Sequence, residues 1–592
     1  MITPRHVWRL PEPLRETPEH AGFGRPVATL LARRGIRDPA ALDRLVGSGA
    51  GLHPVERMAD AARALERLET ALRRGETIAV WGDYDADGMT AVAIWLLALR
   101  AIGVRPLRHL PSRLGDGYGL SASGMRSLRD AGASLVVTCD CGVTNVDEVA
   151  FARTIGLDVI VTDHHLPGPR LPDAVAVVDP HRIDCAYPEK ELTGAGVAFR
   201  LASALLAARG RGTVDGLAAL AAIGTVADVA PLLGENRAIV KLGLAELAAT
   251  QRAGLRAIIA RAATVPGRPT ARDLAFGVAP RLNAAGRIAE ADLAIRLLTA
   301  EGHDEAEALA DELDALNRER QALTRAAVDE ALALPGAAAG SGPLIVRRDT
   351  WPPGIIGLVA GRLADLLDRP VAAVSLVGDE LRGSVRAPGG FHVAQALTAC
   401  ATHLTKLGGH PAAGGFSLPI DGFEAFRSTF QALPRDYPPG LHRLPAGEMV
   451  PPRLAVAGTL TLDVDLVLPA AFVGWKLADE LDRLEPFGVG WPEPLIAITG
   501  LTVGDVRRAG AEDGHLILRM LRGYESIDAV AFDTPTERPL PERGMPLDLV
   551  ATVETGRWMG EPRLRLRVRD YAGAAVSPIA GRVAPLPVAA TA

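Results

Sequence analysis

TIAVWGDYDADGMTAVAIWLLAL, residues 77–99, is the stretch that decides the fold. A short β-branched and apolar run, TIAV, leads to Trp81. Asp83, Asp85 and Asp87 follow, and then a long apolar stretch without charge. Strand, acidic turn and buried helix in that order open an α/β layer. In extended backbone the three acids alternate, so their side chains would point to one side. Gly88 is expected to open the helix, whose N-terminal dipole favours an anion.

The pattern recurs downstream. SLVV precedes Thr138 in VTCDCG (137–142), and LDVIV precedes Thr162 in VTDHHLP (161–167). GTVADVAPL (224–232) ends a helical stretch with a turn at Asp228. Strands are predicted at 77–82, 134–139, 158–162 and 174–179, alternating with helices, the signature of a doubly wound parallel sheet. Side chains at the carboxyl ends of such strands converge on one crevice, the usual ligand site. Asp83, Asp85, Asp87, Asp140, His164, His165 and Asp228 would therefore meet there. Any one of these acids alone reads as a helix cap, and a histidine pair alone as surface or core. Their joint placement at matching topological positions does not.

Carboxylates crowded with imidazole repel unless cations lie among them. Oxygen-rich ligands with a little nitrogen suit Mn²⁺ or Mg²⁺, without choosing between the two. The expected chemistry is two-metal phosphate-ester hydrolysis, in which one ion acidifies a bound water and the other stabilises the leaving oxygen. Asp140, alone at a middle strand end, is the natural bridge between ions. Asp85 and Asp87 would each favour one ion, with His164 and Asp228 completing the shell. His165 is expected as a phosphate contact or proton donor, because neighbouring side chains diverge. Asp163 is expected to hold the two histidines in position.

The chain has 592 residues, 48% hydrophobic and 23% charged, which fits an ordinary globular protein of two to four domains. No apolar run approaches the ~20 residues that span a bilayer, and MITPRHVWRLPEP lacks the apolar core of a signal peptide. A cytoplasmic protein is expected. Cys139, Cys141, Cys185 and Cys400 form no CxxC pair, so a structural zinc site has no support. Small-residue packing is the expected role of the cysteines beside Asp140. The net charge of −6, with 60 arginines against four lysines, leaves any nucleic-acid surface to a local patch.

Residues 1–75 carry two helical patterns, PVATLLARRGI and MADAARALERLETALRRG. A long amphipathic helix is predicted at 305–333, followed by the small-residue linker PGAAAGSG (335–342). Beyond it PLIVRRD, RPVAAVSLV and ELRGSVR read as strands of a second α/β unit, with helices at 354–368 and 391–402. Proline-rich sequence at 431–453 marks another boundary. Apolar runs near 495–503, then HLILRML, DAVAF, LDLVATV and RLRLRVRDY, are evenly spaced and predict a small barrel. The expected domains are an N-terminal extension (1–45), a catalytic domain with its connecting helix (46–335), a second α/β domain (340–450), a barrel (454–572) and a disordered tail (573–592).

These motifs resemble a known family. DYDADG, VTCDCG, VTDHH and GTVADVAPL are similar to those of the DHH phosphoesterase superfamily. PSRLGDGYGL (111–120), LTGAGVAF (192–199), APRLNAAGR (279–287), WPPGIIGLVAGRL (351–363), GGHPAAGGF (408–416) and LEPFGVGWPEP (484–494) resemble the bacterial RecJ family of single-stranded-DNA exonucleases. The likeness runs from about residue 45 to 571. Two positions depart from it: Trp81, where relatives carry an aliphatic residue or a ligating His, and Trp491, where Asn is common. With Trp81 unable to ligate, Asp83 or water would take that place.

The resemblance implies a DHH-type catalytic domain, a DHH-associated domain joined by a long helix, and an OB-type barrel. It implies a 5′→3′ exonuclease that releases nucleoside 5′-monophosphates from single-stranded DNA, in repair and recombination. A single-strand-binding protein and a RecQ-type helicase are the implied partners. Arg113, Ser384 and Arg386 would hold a terminal 5′ phosphate, chemistry apt for a guanidinium fork and a hydroxyl. Arg281, Asn283 and Arg287 would line the same groove. Gly408 and Gly409 allow close backbone approach to a ligand, and His410 would reach the scissile phosphate together with His165. Tyr118 would stack on a base or line a narrow entrance, or it packs. Arg563, Arg565, Arg567 and Arg569 alternate with apolar residues, so they share one strand face, either solvated or tracking a sugar–phosphate backbone. The rivals are a DHH phosphodiesterase of short oligonucleotides or cyclic dinucleotides and an inactive strand-binding scaffold. The flanks and barrel weigh against the first, the intact acids and histidines against the second.

Overall fold

The computed structural model describes residues 2–14, 16–20, 22–47, 51–111, 119–334, 340, 342–438, 461–510, 514–532, 534–535, 538–558 and 561–579. They form two compact units: Gly51–Val456 with Gly488–Trp491, and Met1–Ala50 with Ala457–Phe487 and Pro492–Ala592. The chain's first strand, β1 (Val7–Arg9), belongs to the second of these.

In the larger unit β2 (Thr77–Trp81), β3 (Leu107–His109), β4 (Ala133–Thr138), β5 (Asp158–Thr162) and β6 (Ala176–Val178) make one sheet in the order β3-β2-β4-β5-β6. Every pairing is parallel. Ile78, Val80, Leu135, Val137 and Ile160 face a core shared with the helices Ala86–Ala101, Gly194–Ala208 and Leu217–Ala227. Ala79, Trp81, Val136, Val159 and Val161 face a second core, with Ala122–Asp130 and Val146–Thr154. Burial on both faces is why these strands read as unbroken apolar runs. Residues 86–99 of the first helix are all buried; each large apolar side chain there stabilises the layer by about 1.5–3 kcal/mol relative to exposure. β3 escaped the sequence reading because LRH lies half-exposed at the sheet edge. Strand order reverses between β2 and β4, which makes the crevice at their carboxyl ends a topological switch point.

The helix His303–Leu332 has 30 residues, about 45 Å at 1.5 Å per residue. Its first half packs into the core shared with β2, β4 and β5 through Ala306, Leu309, Ala310 and Leu313. Its end enters another core through Ala327, Val328 and Ala331. That core takes Leu344 and Val346 from β7 (Leu344–Arg347) and Val371 and Ala373 from β8 (Val371–Val377). These are strands of a sheet completed by β9 (Glu380–Arg386), β10 (Lys406–Gly409) and β11 (Ala413–Pro419) in the order β10-β11-β9-β8-β7. β7 and β8 are parallel and the other pairs antiparallel. The linker residues 335–339 and 341, and residues 439–460 of the proline-rich stretch and beyond, lie outside the described residues.

The smaller unit holds β12 (Thr461–Asp463), β13 (Leu466–Pro469), β14 (Ile496–Ala509), β15 (His515–Arg522), β16 (Glu525–Ala531), β17 (Pro546–Trp558) and β18 (Glu561–Gly573). The order β14-β15-β16-β18-β17 closes through β17–β14 pairing into a five-strand barrel, with β13 alongside. Residues 1–50 are part of this unit. β1 pairs with β12, and buried Asp570 accepts from the His6 N–H and Trp8 Nε1, both at 2.8 Å. At the other end Ile579 is buried, so packing continues past 573; residues 580–592 of the expected tail lie outside the described residues. No described helix is long and apolar enough to cross a membrane.

Candidate metal centre

The centre sits at the switch point. β2 ends at Trp81, and Asp85 caps the helix Ala86–Ala101, its Oδ1 accepting the N–H groups of Asp87 (3.0 Å) and Gly88 (3.1 Å). The expected alternation on extended backbone is corrected here. Asp83 lies in the turn, Asp85 is the N-cap and Asp87 already belongs to the first helical turn, which opens at Ala86 rather than Gly88. Capping explains the difference, since an N-cap carboxylate that satisfies orphan N–H groups stabilises a helix by about 1 kcal/mol. Asp87 is buried and accepts from Gly194 N (2.7 Å) and Ala195 N (2.9 Å), the start of another helix. A Cβ added to Gly194 would fall 2.9 Å from Asp87 Oδ2, and one on Gly224 2.5 Å from Oδ1. Two helices thus approach this carboxylate as only glycine permits.

Asp140 follows β4, the middle strand, with left-handed backbone (φ 63°). His164 Nε2 is 3.0 Å from Asp140 Oδ1 and 3.8 Å from Asp87 Oδ2, and its Nδ1 is 3.9 Å from Asp228 Oδ2. His165 does not diverge as expected: the two rings lie 4.5 Å apart, and His165 Nδ1 is 3.8 Å from Asp140 Oδ1. Asp163 is the cause. Its Oδ1 accepts the backbone N–H of both histidines and lies 2.8 Å from His165 Nδ1, while Oδ2 takes the Val143 N–H. The chain folds back around this one carboxylate, so both rings face Asp140.

Burial, then the charges of Asp87 and Asp85, push Asp140 well above the usual carboxylate range. Burial likewise raises Asp87, and the surrounding protein, then Asp87 and Asp85, raise Asp228 although about a third of its side chain (35%) stays in water, both against the pull of His164. Burial opposes charge on His165, but the Asp163 hydrogen bond and Asp140 outweigh it and raise it to about 9. Asp163 itself stays below its ordinary value, because His165, His164 and the Val143 N–H outweigh burial.

The donors fit divalent cations. Asp83, Asp85 and Asp140 offer atoms within 4.8 Å of one another, as do Asp87, His164 and Asp228, and Asp140, His164 and His165. Asp140 and His164 each belong to two groups; the two oxygens of Asp140 could serve adjacent ions, as a two-ion site requires, whereas His164 Nε2 has one lone pair and would join one ion. His164 Nε2 is buried without an aligned hydrogen bond despite its 3.0 Å approach to Asp140, as a lone pair directed at a cation would be. Hard oxygen with some imidazole suits Mn²⁺ and Mg²⁺.

The remaining predicted residues are distributed around this centre. His410 sits in the β10–β11 turn, where a Cβ on Gly409 (φ 152°) would lie 2.5 Å from Ala413 O. The surrounding protein, then the charges of His165 and His164, lower His410 although the residue is exposed, so it lies within electrostatic reach of the pair. Gly408 is exposed beside it. Arg386 donates to Ser384 Oγ at 2.9 Å on β9, and Arg287 to Gly354 O at 3.1 Å. Asn283 accepts the Ala86 N–H at 2.8 Å and so braces the acidic turn. Arg281 is turned to Asp314 on the long helix, 2.7 Å away. Arg113 and Tyr118 lie outside the described residues. In the smaller unit Arg563 pairs with Asp528 (2.9 Å) and Arg565 with Glu554 (2.7 Å), while Arg567 stands over Phe532.

Asp179 escaped the sequence reading. It ends β6, is fully buried and is raised to about 7, by burial first and then by Asp163. Its Oδ1 accepts the His181 N–H, and His181 Nδ1 lies 2.5 Å from His164 O. The signal was present in a fourth strand ending in an acid. Trp81 is fully buried against His109 on the sheet face opposite Val80. Period two therefore removes it from ligation.

A parallel sheet with this acid and histidine set at its switch point defines a DHH-family phosphoesterase, and the DHH family, N-terminal domain, matches residues 77–225. The DHHA1 domain matches 341–435 and the RecJ OB domain 464–570. The chain belongs to the RecJ family. It is 35% identical over 565 residues to the single-stranded-DNA-specific exonuclease RecJ of Salmonella typhimurium, covering 91% of this chain and 94% of that one. It is 34% identical to RecJ of Bacillus subtilis, over 92% of this chain and 68% of the relative. The crystal structure of Thermus thermophilus RecJ with Mn²⁺ superposes with a TM-score of 0.76 at 32% identity, over 96% of this chain and 79% of the other. The Mg²⁺ complex gives 0.71 at 31% identity, over 96% and 78%.

Proposed function

We propose that the chain is a metal-dependent exonuclease that degrades single-stranded DNA from the 5′ end and releases nucleoside 5′-monophosphates, in cytoplasmic DNA repair and recombination. The observation that carries this reading is the Asp140–His164 core shared between neighbouring donor groups in a RecJ-family chain. Asp83, Asp85, Asp87, Asp140, His164 and Asp228 would hold two Mn²⁺ or Mg²⁺ ions, Asp140 between them. Bound there, the ions supply an acidified water and charge stabilisation at the leaving oxygen.

The chain's own groups do the rest. Asp163 fixes the His165 ring at Nδ1, which leaves its other nitrogen for a phosphate oxygen or the leaving group. His410 closes from the β10–β11 turn onto the same phosphate, with Gly408 and Gly409 letting backbone approach. Ser384 and Arg386, with Arg113, receive the terminal phosphate, and Tyr118 the first base. Arg281, Asn283 and Arg287 line the path, and Arg563, Arg565 and Arg567 follow the strand along the barrel. Residues 46–335, 340–450 and 454–572 divide these tasks between hydrolysis, phosphate closure and strand holding. A single-strand-binding protein and a RecQ-type helicase are the partners that co-purification would detect.

Asp140→Ala should lower hydrolysis by about three orders of magnitude or more, since several kcal/mol of charge stabilisation depend on the ions. Strand binding in EDTA should persist. Product analysis with 5′- and 3′-blocked single strands and duplex controls tests polarity. Equal degradation from either end, or near-normal turnover by Asp140→Ala, sinks the reading.

A further inference from the structure

We propose that the turn Gly488–Trp491 is a positioning clamp for the loop that carries Asp228. The inference rests on Asp228 acting as a metal-holding residue. Asp228 reaches the centre from a helix end, whereas Asp140 and His164 follow strands. Its placement depends on the short segment 228–233, which joins that helix to Gly234–Ala249. Val229, the next residue, has φ 62°. A β-branched side chain rarely adopts that conformation, and it persists only where the surroundings over-determine it. Half of Val229 is exposed, so its own packing does little to impose the conformation. The restraint must come from the segment's two ends.

One end is the helix itself, through Asp228 N to Gly224 O (2.9 Å) and Ala230 N to Thr225 O (3.3 Å). The other end is held by residues more than 250 positions later. Leu232 N donates to Val489 O at 2.7 Å, the shortest backbone bond of the segment. The turn that presents Val489 is closed by Gly488 N to Trp491 O (2.9 Å) and Trp491 N to Gly488 O (3.2 Å). A Cβ on Gly488 would stand 2.6 Å from Leu232 Cδ1, and one on Gly490 (φ 77°) 3.0 Å from Leu233 Cδ1. Trp491 is buried, with the Arg237 guanidinium 5.9 Å from its ring. Arg237 sits on the helix that begins directly after the segment. The turn thus grips the segment at Leu232 and Leu233 and its following helix at Arg237. These four residues cluster with the larger unit although Phe487 and Pro492 on either side do not. The alignment of Asp228 accordingly depends on the stretch of chain that leads into the barrel.

The test uses the full chain and Mn²⁺ alone as probe, by titration calorimetry, beside kcat and KM on single-stranded DNA, strand affinity in EDTA and melting temperature. Gly488→Val should weaken Mn²⁺ binding and lower kcat by about 10–100-fold, the usual cost of disturbing residues behind metal ligands. KM, strand affinity in EDTA and cooperative melting should stay near wild type. Trp491→Ala should shift Mn²⁺ affinity and kcat the same way by less, and Trp491→Phe should restore both. Wild-type Mn²⁺ affinity and kcat in Gly488→Val overturn the clamp, and so does a loss that strand affinity and melting share equally. Asp228→Asn separates the two readings. If it leaves Mn²⁺ affinity unchanged, the metal role of Asp228 fails; if it lowers affinity and Gly488→Val does not, only the clamp fails.

Discussion

Two rows of like charge lie on this chain, and they are compensated in opposite ways. At the switch point Asp87, Asp140 and Asp228 meet the imidazoles of His164 and His165, and Asp87 and Asp140 are 2% exposed. On β18 the arginines meet Asp528 and Glu554 on the neighbouring strands, and Arg563 keeps about half its side chain (53%) in water. Burial multiplies the repulsion among the acids, because the same charges interact several times more strongly away from water. Divalent cations placed among the acids would relieve that repulsion. The second row is already balanced, and its exposed pairs contribute about 0–1 kcal/mol each. A row of acids whose centre is buried favours a divalent cation; a half-exposed, paired row of arginines can exchange its acids for phosphates at little cost.

The sharpest way to break that contrast is to supply the cation and measure stability. At 100 times its dissociation constant Mn²⁺ should stabilise the folded chain by about 2.7 kcal/mol for each site filled, read as a rise in melting temperature. Asp140→Ala should lose most of that rise, because the residue belongs to two donor groups. Substitution of Arg563 should leave it intact. An equal Mn²⁺ response in wild type and Asp140→Ala would put the cation elsewhere.

A smaller effect is expected one layer out. Asp163→Asn preserves size but weakens the carboxylate that gathers both histidine N–H groups and His165 Nδ1. Turnover should fall about 10–100-fold through misplaced imidazoles, with strand affinity in EDTA unchanged. A loss of affinity without loss of kcat would mean that Asp163 supports strand binding rather than the centre.

The contrast also separates what could be read along the chain from what could not. Asp140 and His164 were legible because parallel strands buried on both faces are unbroken apolar runs whose ends are visible in one dimension, and Asp228 because it stands in the turn that ends a helical stretch. The arginine stripe was legible through its period of two. Backbone donors such as Gly194 and Ala195 were not, since an N–H has no residue-type signature. Asp179 closes the strand predicted at 174–179, but a lone acid directly before Pro180 reads as an ordinary turn former. The pairing of β1 with β12 links three-residue strands more than 450 positions apart, and no local pattern encodes it. Arg281 looked free because its acid, Asp314, lies 33 residues away on another helix. Local periodicity reports which face a residue takes; it says nothing about the distant group waiting there.

The arginines of β18 give the smallest and most discriminating effect. Each arginine that releases a counterion from single-stranded DNA contributes about 0.7 to the slope of log affinity against log salt. Three free arginines would thus contribute about 2. Here Arg563 and Arg565 must first leave Asp528 and Glu554, and Arg567, 15% exposed, stands over Phe532. Part of the gain on binding a phosphate is offset by the ion pair given up. Replacing Arg563, Arg565 and Arg567 together by Ala should therefore lower the slope by less than 2 and weaken long strands only several-fold. Hydrolysis of a dinucleotide, which has no further strand to be held, should not change. A slope lowered by the full amount would show that the pairs with Asp528 and Glu554 cost nothing to break. An unchanged slope would show that the strand passes the barrel by another face.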